Sequence, residues 1–314
     1  MLRSRTPGAR QWDGVGWRPE IPSVGRRAAL VARTASPARP RRRRRARARA
    51  RGPPRGPAAA PCAPPALAPC VPPALAPGAP ARRSRGRRRL AELRRSEGVP
   101  DTLLLLQHRP VYTIGKRGHA EDFLRSPSSL DAEVVRVDRG GETTFHGPGQ
   151  LVAYPIVRVR GLGRGARTFV DGLERAAVRT LARWGVRAHG CAPCKTGVWV
   201  GEEKIAAIGV RISGGITTHG SAIYDDPDLS AFGAIVPCGL KHSRMTSLRE
   251  QLERKSAEAP AATQPPLAPP SMEEFARAYA EEFAAEFGFD RLVERESVWE
   301  LLQGQQEIER EQGR

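Results

Sequence analysis

The composition of the chain changes near residue 90, and this change limits which part can form a globular fold. Residues 1–90 contain 23 Arg, no Lys and only two acidic residues, Asp13 and Glu20. The rest of the segment is mostly Ala, Pro and Gly, so it has too few large apolar side chains to bury a core. We therefore predict a disordered arm over residues 1–90, a folded domain over 91–292 and a polar tail over 293–314.

The charge of the chain belongs to this arm. Residues 1–90 carry a formal charge of +21, against +19 for the whole chain, so the predicted domain is close to neutral. A basic patch on the domain is therefore not implied, and specific nucleic-acid binding is not expected of it. For the arm three interpretations remain open: translated upstream DNA of a GC-rich genome ahead of a mis-set start, an organelle transit peptide, and a nucleic-acid-binding arm.

Apolar runs and cysteines indicate the compartment. No stretch of 18 apolar residues occurs, so no membrane-spanning segment is predicted. The five cysteines are an odd number spread over a long chain, which argues against a disulfide framework and favours a reducing compartment. We predict a cytoplasmic protein, or one of the mitochondrial matrix or plastid if the arm is a transit peptide.

Cys191 and Cys194 form a single C-x-x-C without a second pair, so neither a metal nor a cofactor is predicted.

Hydrophobic patterning predicts an α+β domain with a mixed β-sheet and packed helices. An apolar stripe at helical spacing predicts a helix over Arg167 to Trp184 that ends at Gly185, and a capping box at Ser271 begins a second helix that Gly288 closes. A proline-rich linker is predicted over 257–270. Alternating or continuous apolar runs predict strands over residues 103–107, 110–114, 134–137, 151–157, 197–200, 204–212 and 216–224.

Three segments carry residues suited to chemistry. The first, Arg139 to Gln150, has four glycines and a proline between two strands, so its backbone can approach a ligand closely. It lacks the lysine and hydroxyl of a nucleotide phosphate loop. The second contains Lys204, one of only five Lys among 52 basic residues. Lysine can release its proton where arginine cannot, so Lys204 is either a proton-transfer group or a solvent-facing residue at a hairpin turn.

The third segment places Cys238 between Pro237 and Gly239 in an apolar run. A lone cysteine is commonly a small buried hydrophobic residue. A cysteine beside a lysine would instead have its thiolate stabilised and could act as a nucleophile. The spacing along the chain does not distinguish these two possibilities.

Taken in order, these segments resemble the lipoyl(octanoyl) transferase family of lipoate biosynthesis over residues from about 90 to 290. The matching pieces are residues 110–115, 139–150, 196–200, 204–209, 217–220, 228–229, 235–240 and 246–248. The resemblance implies the fold of biotin and lipoate protein ligases. It also implies an octanoyl-[acyl carrier protein]:protein N-octanoyltransferase in which Cys238 is the nucleophile and forms a thioester, with Lys204 as its proton partner.

The resemblance further implies the acyl-binding residues and the partners. The binding residues would be Arg139, Gly140, Gly141, Glu142, Thr143, Thr144, Phe145, His146, Ala207, Ile208, Gly209, Gly220, Ser221 and Ala222. The donor would be octanoyl-acyl carrier protein. The acceptors would be lipoyl domains of 2-oxoacid dehydrogenase complexes and the glycine cleavage H protein, with the enzyme acting as a monomer. Two alternatives remain: an ATP-dependent lipoate or biotin ligase of the same fold, and a nucleic-acid-binding protein acting through the arm.

Two features depart from the family pattern. Tyr224 stands where the family usually has Asn, which questions the hydrogen bonding of that strand. Family members also begin with a strand and a helix, and before residue 90 the sequence shows neither clearly, although residues 87–97 are compatible with part of the helix. The missing first strand and helix support a mis-set start and leave open whether the chain folds fully.

Overall fold

The computed structural model describes residues 66–70, 80–96, 99–190, 196–236, 244–258 and 268–295, with side chains from residue 86 onward. In these ranges the predicted α+β class is confirmed. The strands are β1 (Ala66–Cys70), β2 (Asp101–Leu106), β3 (Val111–Ile114), β4 (Glu133–Arg136), β5 (Thr143–His146), β6 (Gln150–Ile156), β7 (His189–Gly190), β8 (Val198–Val200), β9 (Glu203–Ser213), β10 (Ile216–Tyr224) and β11 (Arg291–Leu292). The helices are α1 (Pro80–Arg95), α2 (Ala166–Ala182), α3 (Leu248–Glu258) and α4 (Met272–Phe287).

Eight strands form one mixed sheet in the order β11-β1-β2-β6-β10-β9-β8-β7, and a second sheet has the order β4-β3-β5. The centre of the large sheet is antiparallel, with β2 on β6, β6 on β10 and β10 on β9. The predicted hairpin of β8 with β9, and β10 beside it, are confirmed. In the small sheet β3 pairs in parallel with β4 and antiparallel with β5.

The large sheet is covered on both faces, and β2 shows why its sequence is continuously apolar. Leu103 and Leu105 pack into a core shared with α2, α3 and α4, whereas Leu104 and Leu106 pack into a second core with α1 and the small sheet. Successive side chains of a strand point to opposite faces, so a strand buried on both sides needs apolar residues at every position.

The local helix signals are confirmed. Helix α2 ends close to the predicted Gly185, which has a φ of 71°. At the start of α4 the Ser271 side chain accepts from the Glu274 backbone N–H, and the Glu274 carboxylate accepts from the Ser271 N–H. Gly288 ends α4 in the left-handed conformation with a φ of 75°, where a residue without Cβ is favoured.

Two boundaries differ from the sequence-based prediction. The prediction of a disordered arm up to residue 90 was wrong at its end, because β1 lies within residues 1–90 and α1 begins at Pro80. Strand β1 pairs in parallel with β2, and Leu90 and Leu93 of α1 are buried in the second core. The first strand and helix that we did not find in the sequence are therefore present. Helix α3 also extends to Glu258, into the predicted linker 257–270.

The structure differs from one further expectation and resolves one question about β10. Residues 143–146 form strand β5, although we expected the whole of 139–150 to be a loop between strands. The hydrogen bonding of β10 is kept at Tyr224, which is paired with Gln150 of β6 and buried against Phe232. Among the described residues, no helix has both the length and the apolar character needed to cross a bilayer.

Candidate active site

A cavity of about 1010 Å³ lies between the two sheets. Its walls come from β3, β4 and β5 on one side and from β6, β9 and β10 on the other, and Arg87 of α1 also contributes. The loop after β4 closes over it. This volume is at the upper end of the range for small-molecule sites in proteins, so the cavity can hold a substantial organic ligand.

Small residues form the part of the cavity wall where β9 pairs with β10 at residues 207–209. Gly220 of β10 is paired with Gly209 of β9, and Ala222 is paired with Ala207. The six predicted binding residues of this region, Ala207, Ile208, Gly209, Gly220, Ser221 and Ala222, all line the cavity. A Cβ added at Gly209 would lie 2.8 Å from the Gly140 carbonyl oxygen, so only glycine lets the loop after β4 cross the strand at this distance.

The other predicted binding segment, residues 139–146, is divided between the cavity and the protein interior. Arg139, Gly141, Glu142, Thr144 and His146 line the cavity. Phe145 instead packs against Tyr112 and Phe232, with ring centroids 5.1 Å and 5.7 Å away, and the Thr143 hydroxyl donates to Asp122. The alternation follows from β5 being a strand, because its odd and even side chains point to opposite faces. Gly140, Thr143 and Phe145 are thus not among the residues lining the cavity.

Arg139 fixes the loop above the cavity. Its side chain is buried, and one Nη donates to the Thr113 carbonyl at 2.7 Å and to the Thr113 hydroxyl at 2.8 Å. The other Nη donates to the Gly140 carbonyl at 3.1 Å. The backbone N–H of Gly140 donates to the Val210 carbonyl of β9 at 3.0 Å, so the loop is bonded to both sheets.

His146 is a neutral imidazole at neutral pH. Burial, together with the positive charge of Arg139, lowers the pKa of His146 to about 3. Its Nδ1 is hydrogen-bonded to the Gln150 side chain at 3.2 Å, and its ring lies 5.8 Å from that of His108. The Gln150 amide oxygen accepts from Nδ1, because the amide nitrogen of Gln150 donates to the Phe145 carbonyl. Nε2 of the neutral ring can therefore accept a hydrogen bond from a ligand, but His146 does not supply positive charge.

Lys204 is buried, with 2% of its surface exposed, and it lines the cavity at the start of β9. The solvent-facing interpretation of this lysine is therefore wrong. Its Nζ lies 5.3 Å from the centre of the Trp199 ring. Its backbone N–H donates to the Arg244 carbonyl at 2.9 Å, and its carbonyl accepts from the Thr246 N–H at 3.0 Å.

A glycine holds the lysine side chain in place. Gly197 has a φ of 140°, and a Cβ there would lie 2.5 Å from Cε of Lys204 and 2.7 Å from the Ala206 carbonyl oxygen. The Gly197 N–H donates at 2.9 Å to the carboxylate of Glu174 on α2. Burial raises the pKa of this carboxyl above its ordinary value. The contact with Glu174 fixes Gly197 against the stem of Lys204.

At another edge of the cavity, His219 has a φ of 62° in the middle of β10. Its Nε2 lies 2.8 Å from Oδ1 of Asp138 and 3.5 Å from Nη2 of Arg87. The Arg87 guanidinium also lies over the Tyr154 ring, 4.6 Å from its centre, and the Tyr154 hydroxyl is 2.8 Å from Nε2 of His108. None of these residues is among the acyl-binding residues predicted from the sequence. A strand histidine gives no sequence signal for its dihedral angle, and Arg87 was obscured by the many other arginines of the predicted arm.

Three cysteines considered in the sequence analysis lie outside the described residues. They are Cys238, the predicted nucleophile, and Cys191 and Cys194 of the C-x-x-C pair. Their roles stay predictions. In the ranges that the structure describes, no group of three or more His, Cys, Asp or Glu side chains is arranged to hold a metal ion.

The chain is similar to known proteins both in sequence and in fold. The mitochondrial octanoyltransferase LIP2 of Arabidopsis thaliana is 48% identical over 168 residues, which is 52% of this chain and 72% of the relative. The octanoyltransferase of Chloroflexus aggregans is 48% identical over 174 residues, 52% of this chain and 77% of the relative.

Among solved structures, lipoate-protein ligase A bound with ATP is similar, with a TM-score of 0.56 and 16% identity over 76% of this chain and 93% of that one. The lipoate complex of P. falciparum LipL1 has a TM-score of 0.52 and 11% identity over 74% and 67% of the two chains. These likenesses confirm the predicted ligase-like fold. Residues 85–284 match the family of the lipoyl protein ligase A/B catalytic domain. The chain belongs to this family, and its octanoyltransferase relatives identify it as an acyltransferase that transfers octanoyl groups in protein lipoylation.

Proposed function

We propose that the chain takes an octanoyl group from an acyl carrier protein thioester onto Cys238 and passes it to a lysine of a lipoyl domain. The observation that carries the proposal is the buried Lys204 at the edge of a cavity that has a strip of small residues in its wall. A buried amine without bulk solvent is suited to exchanging protons with a nucleophile and a leaving group.

In the first step the Cys238 thiol gives its proton to the amine of Lys204, and the sulfur attacks the carbonyl carbon of the donor thioester. The bond to the carrier's sulfur breaks, and this sulfur leaves with a proton from the Lys204 ammonium. The products are an octanoyl thioester on Cys238 and a free thiol on the carrier. Covalent catalysis of this kind divides one transfer between two proteins into two simpler steps.

In the second step the amine of the acceptor lysine attacks the carbonyl carbon of the Cys238 thioester. Its surplus proton passes to Lys204, and the Cys238 sulfur leaves and recovers a proton from the same residue. An amide is formed and the enzyme returns to its starting state. Because Lys204 accepts and returns protons in both steps, it needs a side chain that can lose a proton, which arginine does not offer.

The backbone around Lys204 supports its pairing with Cys238. The chain is described up to Val236, whose N–H donates to the Asp122 carbonyl at 2.7 Å, and again from Arg244. Arg244 follows Cys238 by only six positions, and its carbonyl accepts the N–H of Lys204 at 2.9 Å. Arg244, the first described residue after Cys238, is therefore hydrogen-bonded to Lys204.

The cavity wall supports an alkyl chain as ligand. Ala207 and Gly209 of β9 are paired in the sheet with Ala222 and Gly220 of β10. None of the four has a polar side chain, so they form a narrow apolar strip of the cavity wall that begins close to Lys204. Valines of β3 and β4 line the opposite side. Each methylene of an acyl chain buried on such a strip contributes about 0.8 kcal/mol.

Intact mass spectrometry tests the proposal. Incubation with octanoyl-acyl carrier protein should raise the mass of the wild type by one octanoyl group, which hydroxylamine removes because it cleaves thioesters. Cys238→Ala should form no adduct, and Cys194→Ala is the matched control that should form it as the wild type does. An adduct that persists in Cys238→Ala would refute the assignment of the nucleophile.

The same assay separates the transferase from an ATP-dependent ligase. The second step is tested by adding a lipoyl domain to the acylated enzyme and measuring amide formation on the lysine of that domain. The glycine cleavage H protein serves as a second acceptor. Loading that requires ATP and free octanoate would favour the ligase.

The Arabidopsis relative is mitochondrial, so an organellar location fits the family as well as the cytoplasmic one predicted from the sequence.

A further inference from the structure

The backbone of Lys204 is bonded to neighbouring chain segments on both sides. On one side Lys204 is paired with Trp199 of β8. On the other side residues 244–246 run parallel to it: its N–H donates to the Arg244 carbonyl at 2.9 Å, and its carbonyl accepts from the Thr246 N–H at 3.0 Å. The position at which the lysine side chain enters the cavity therefore depends on residues 244–246.

Helix α3 holds residues 244–246 through the side chain of Thr246. This residue is fully buried, and its hydroxyl donates to the Glu250 carboxylate at 3.0 Å and accepts from Nε2 of Gln251 at 2.9 Å. The first turn of α3 is itself fixed, because the Ser247 hydroxyl accepts from the Glu250 N–H at 3.1 Å, as a helix cap does. The Thr246 hydroxyl is thus bonded both as donor and as acceptor, and both of its partners belong to the helix.

The hydrogen bonds of α3 also reach Glu203, the residue before Lys204. Arg254 donates to both carboxylate oxygens of Glu203, at 2.5 Å and 3.2 Å, and to Glu250 at 2.7 Å. Nε2 of Gln251, which has two protons, donates to Glu203 at 3.3 Å as well. The hydrogen bond from Arg254 lowers the pKa of Glu203, and such two-pronged contacts fix the orientation of a carboxylate. The α3 network, defined as Glu203, Glu250, Gln251 and Arg254, thus holds the chain at Lys204 from two sides.

The α3 network differs in its location from the ion pairs that join α2 and α4. There Arg179 of α2 contacts Glu282 and Glu286 of α4 at 3.0 Å each, on the face of the large sheet opposite the cavity. The side chains of Arg179 and Arg254 are similarly exposed, at 39% and 37%. The two arginines are therefore comparable as surface ion pairs, and only the network of Arg254 includes the residue next to Lys204.

We propose that Thr246, held by the α3 network, is a positioning residue that aligns Lys204 for proton transfer. This inference rests on the proposed function and adds a residue that acts through Lys204 rather than on the substrate. Without the hydroxyl, the buried Gln251 amide and one Glu250 oxygen lose a partner, and residues 244–246 shift together with the lysine that they hold. Thr246 is not among the described residues that line the cavity, so binding of the donor does not depend on it.

The test measures acyl-enzyme formation in single turnovers over a series of octanoyl-acyl carrier protein concentrations. Thr246→Val removes the hydroxyl with little change of shape. Its maximum rate should fall by about tenfold, because a misplacement of about 1 Å costs about 10²-fold and the shift here is smaller. The donor concentration that gives half the maximum rate should stay that of the wild type. Thr246→Ser keeps the hydroxyl and should recover most of the rate.

A second variant opens the α3 network at the surface and leaves Thr246 in place. Arg254→Met should lower the maximum rate in the same direction by a smaller factor. Arg179→Met is the matched control, because it removes two ion pairs of an arginine with nearly the same exposure. Its maximum rate should equal that of the wild type.

The outcomes separate this inference from the proposed function. With an active wild type, a folded Thr246→Val variant whose maximum rate is within about twofold of wild type would overturn the inference alone. So would equal maximum rates in Arg254→Met and Arg179→Met, and this comparison decides the question if Thr246→Val does not fold. A wild type that forms no acyl-enzyme with octanoyl-acyl carrier protein would overturn the proposed function and this inference with it.

Discussion

Replacing Gly197 with Ala tests whether the position of Lys204 depends on the glycine beside it. The added Cβ would lie 2.5 Å from Cε of Lys204 and 2.7 Å from the Ala206 carbonyl oxygen. Nonbonded carbon atoms are most stable at about 3.5–4.0 Å, so the lysine side chain has to move by about 1 Å to accept the methyl group. The carbonyl belongs to β9 and cannot move independently of the sheet, so the backbone at residue 197 has to shift as well as the lysine side chain.

The expected effects on stability and on rate can be separated. A φ of 140° is unfavourable for alanine, at about 1–3 kcal/mol, and forcing a methyl group into a packed site costs about 1–3 kcal/mol more. Unfolding free energy should therefore fall by about 2–6 kcal/mol. A misplacement of about 1 Å in a reacting group can lower the rate about 10²-fold, so we expect a loss of this size in acyl-enzyme formation.

Gly201→Ala provides the control on the same hairpin. Gly201 has a φ of 56°, and a Cβ there would meet nothing within 4 Å, so this variant has backbone strain without the contact to Lys204. We expect it to lose about 1–2 kcal/mol of stability and to retain its rate. The assays are urea unfolding and single-turnover labelling by octanoyl-acyl carrier protein at a temperature where both variants are folded. Equal rates in the two variants would refute the argument that Gly197 positions the lysine.

Two further substitutions test proton transfer and buried charge. Lys204→Arg keeps the positive charge but cannot exchange a proton, so the rate should fall by about 10²- to 10⁴-fold; a rate within about threefold of wild type would exclude the proton-transfer role. Burial raises the pKa of Asp225 from 3.8 to about 6, so the folded state binds its proton more tightly than the unfolded state. Stability from this group should therefore decrease as pH rises from about 4 to 6, and Asp225→Asn should raise the unfolding free energy at pH 7 by about 2–3 kcal/mol. A pH dependence between 4 and 6 that is the same in both proteins would contradict this assignment.

The local elements of the fold could be predicted because their signals lie within a few residues of one another. The capping box at Ser271 and the left-handed Gly288 delimit α4 as expected, since each acts through hydrogen bonds inside one helical turn. The apolar stripe of α2 and the strands β9 and β10 follow from periodicities of 3.6 and 2 residues. The family, too, could be recognised from an ordered set of short motifs, without any knowledge of contacts between them.

The shape of the candidate site was decided by contacts between distant parts of the chain. Arg87 and His219 are separated by 132 positions, and they meet because α1 packs on the sheet that contains β10. Strand β5 forms because β3 supplies its hydrogen-bond partners, which a glycine-rich sequence does not reveal. Residues 66–70 likewise pair with β2 although their composition resembles that of the arm before them.

His219 shows the physical reason most directly. The alternation of side chains along β10 would place the His219 imidazole on the face of the sheet where Val210 lies. A positive φ in a residue other than glycine is unfavourable by itself. The conformation is held by Asp138, Arg87 and Tyr154, which lie on three other segments of the chain. Periodicity determines which residues form a strand, whereas the face that a strained residue presents is determined by the partners that tertiary packing brings to it.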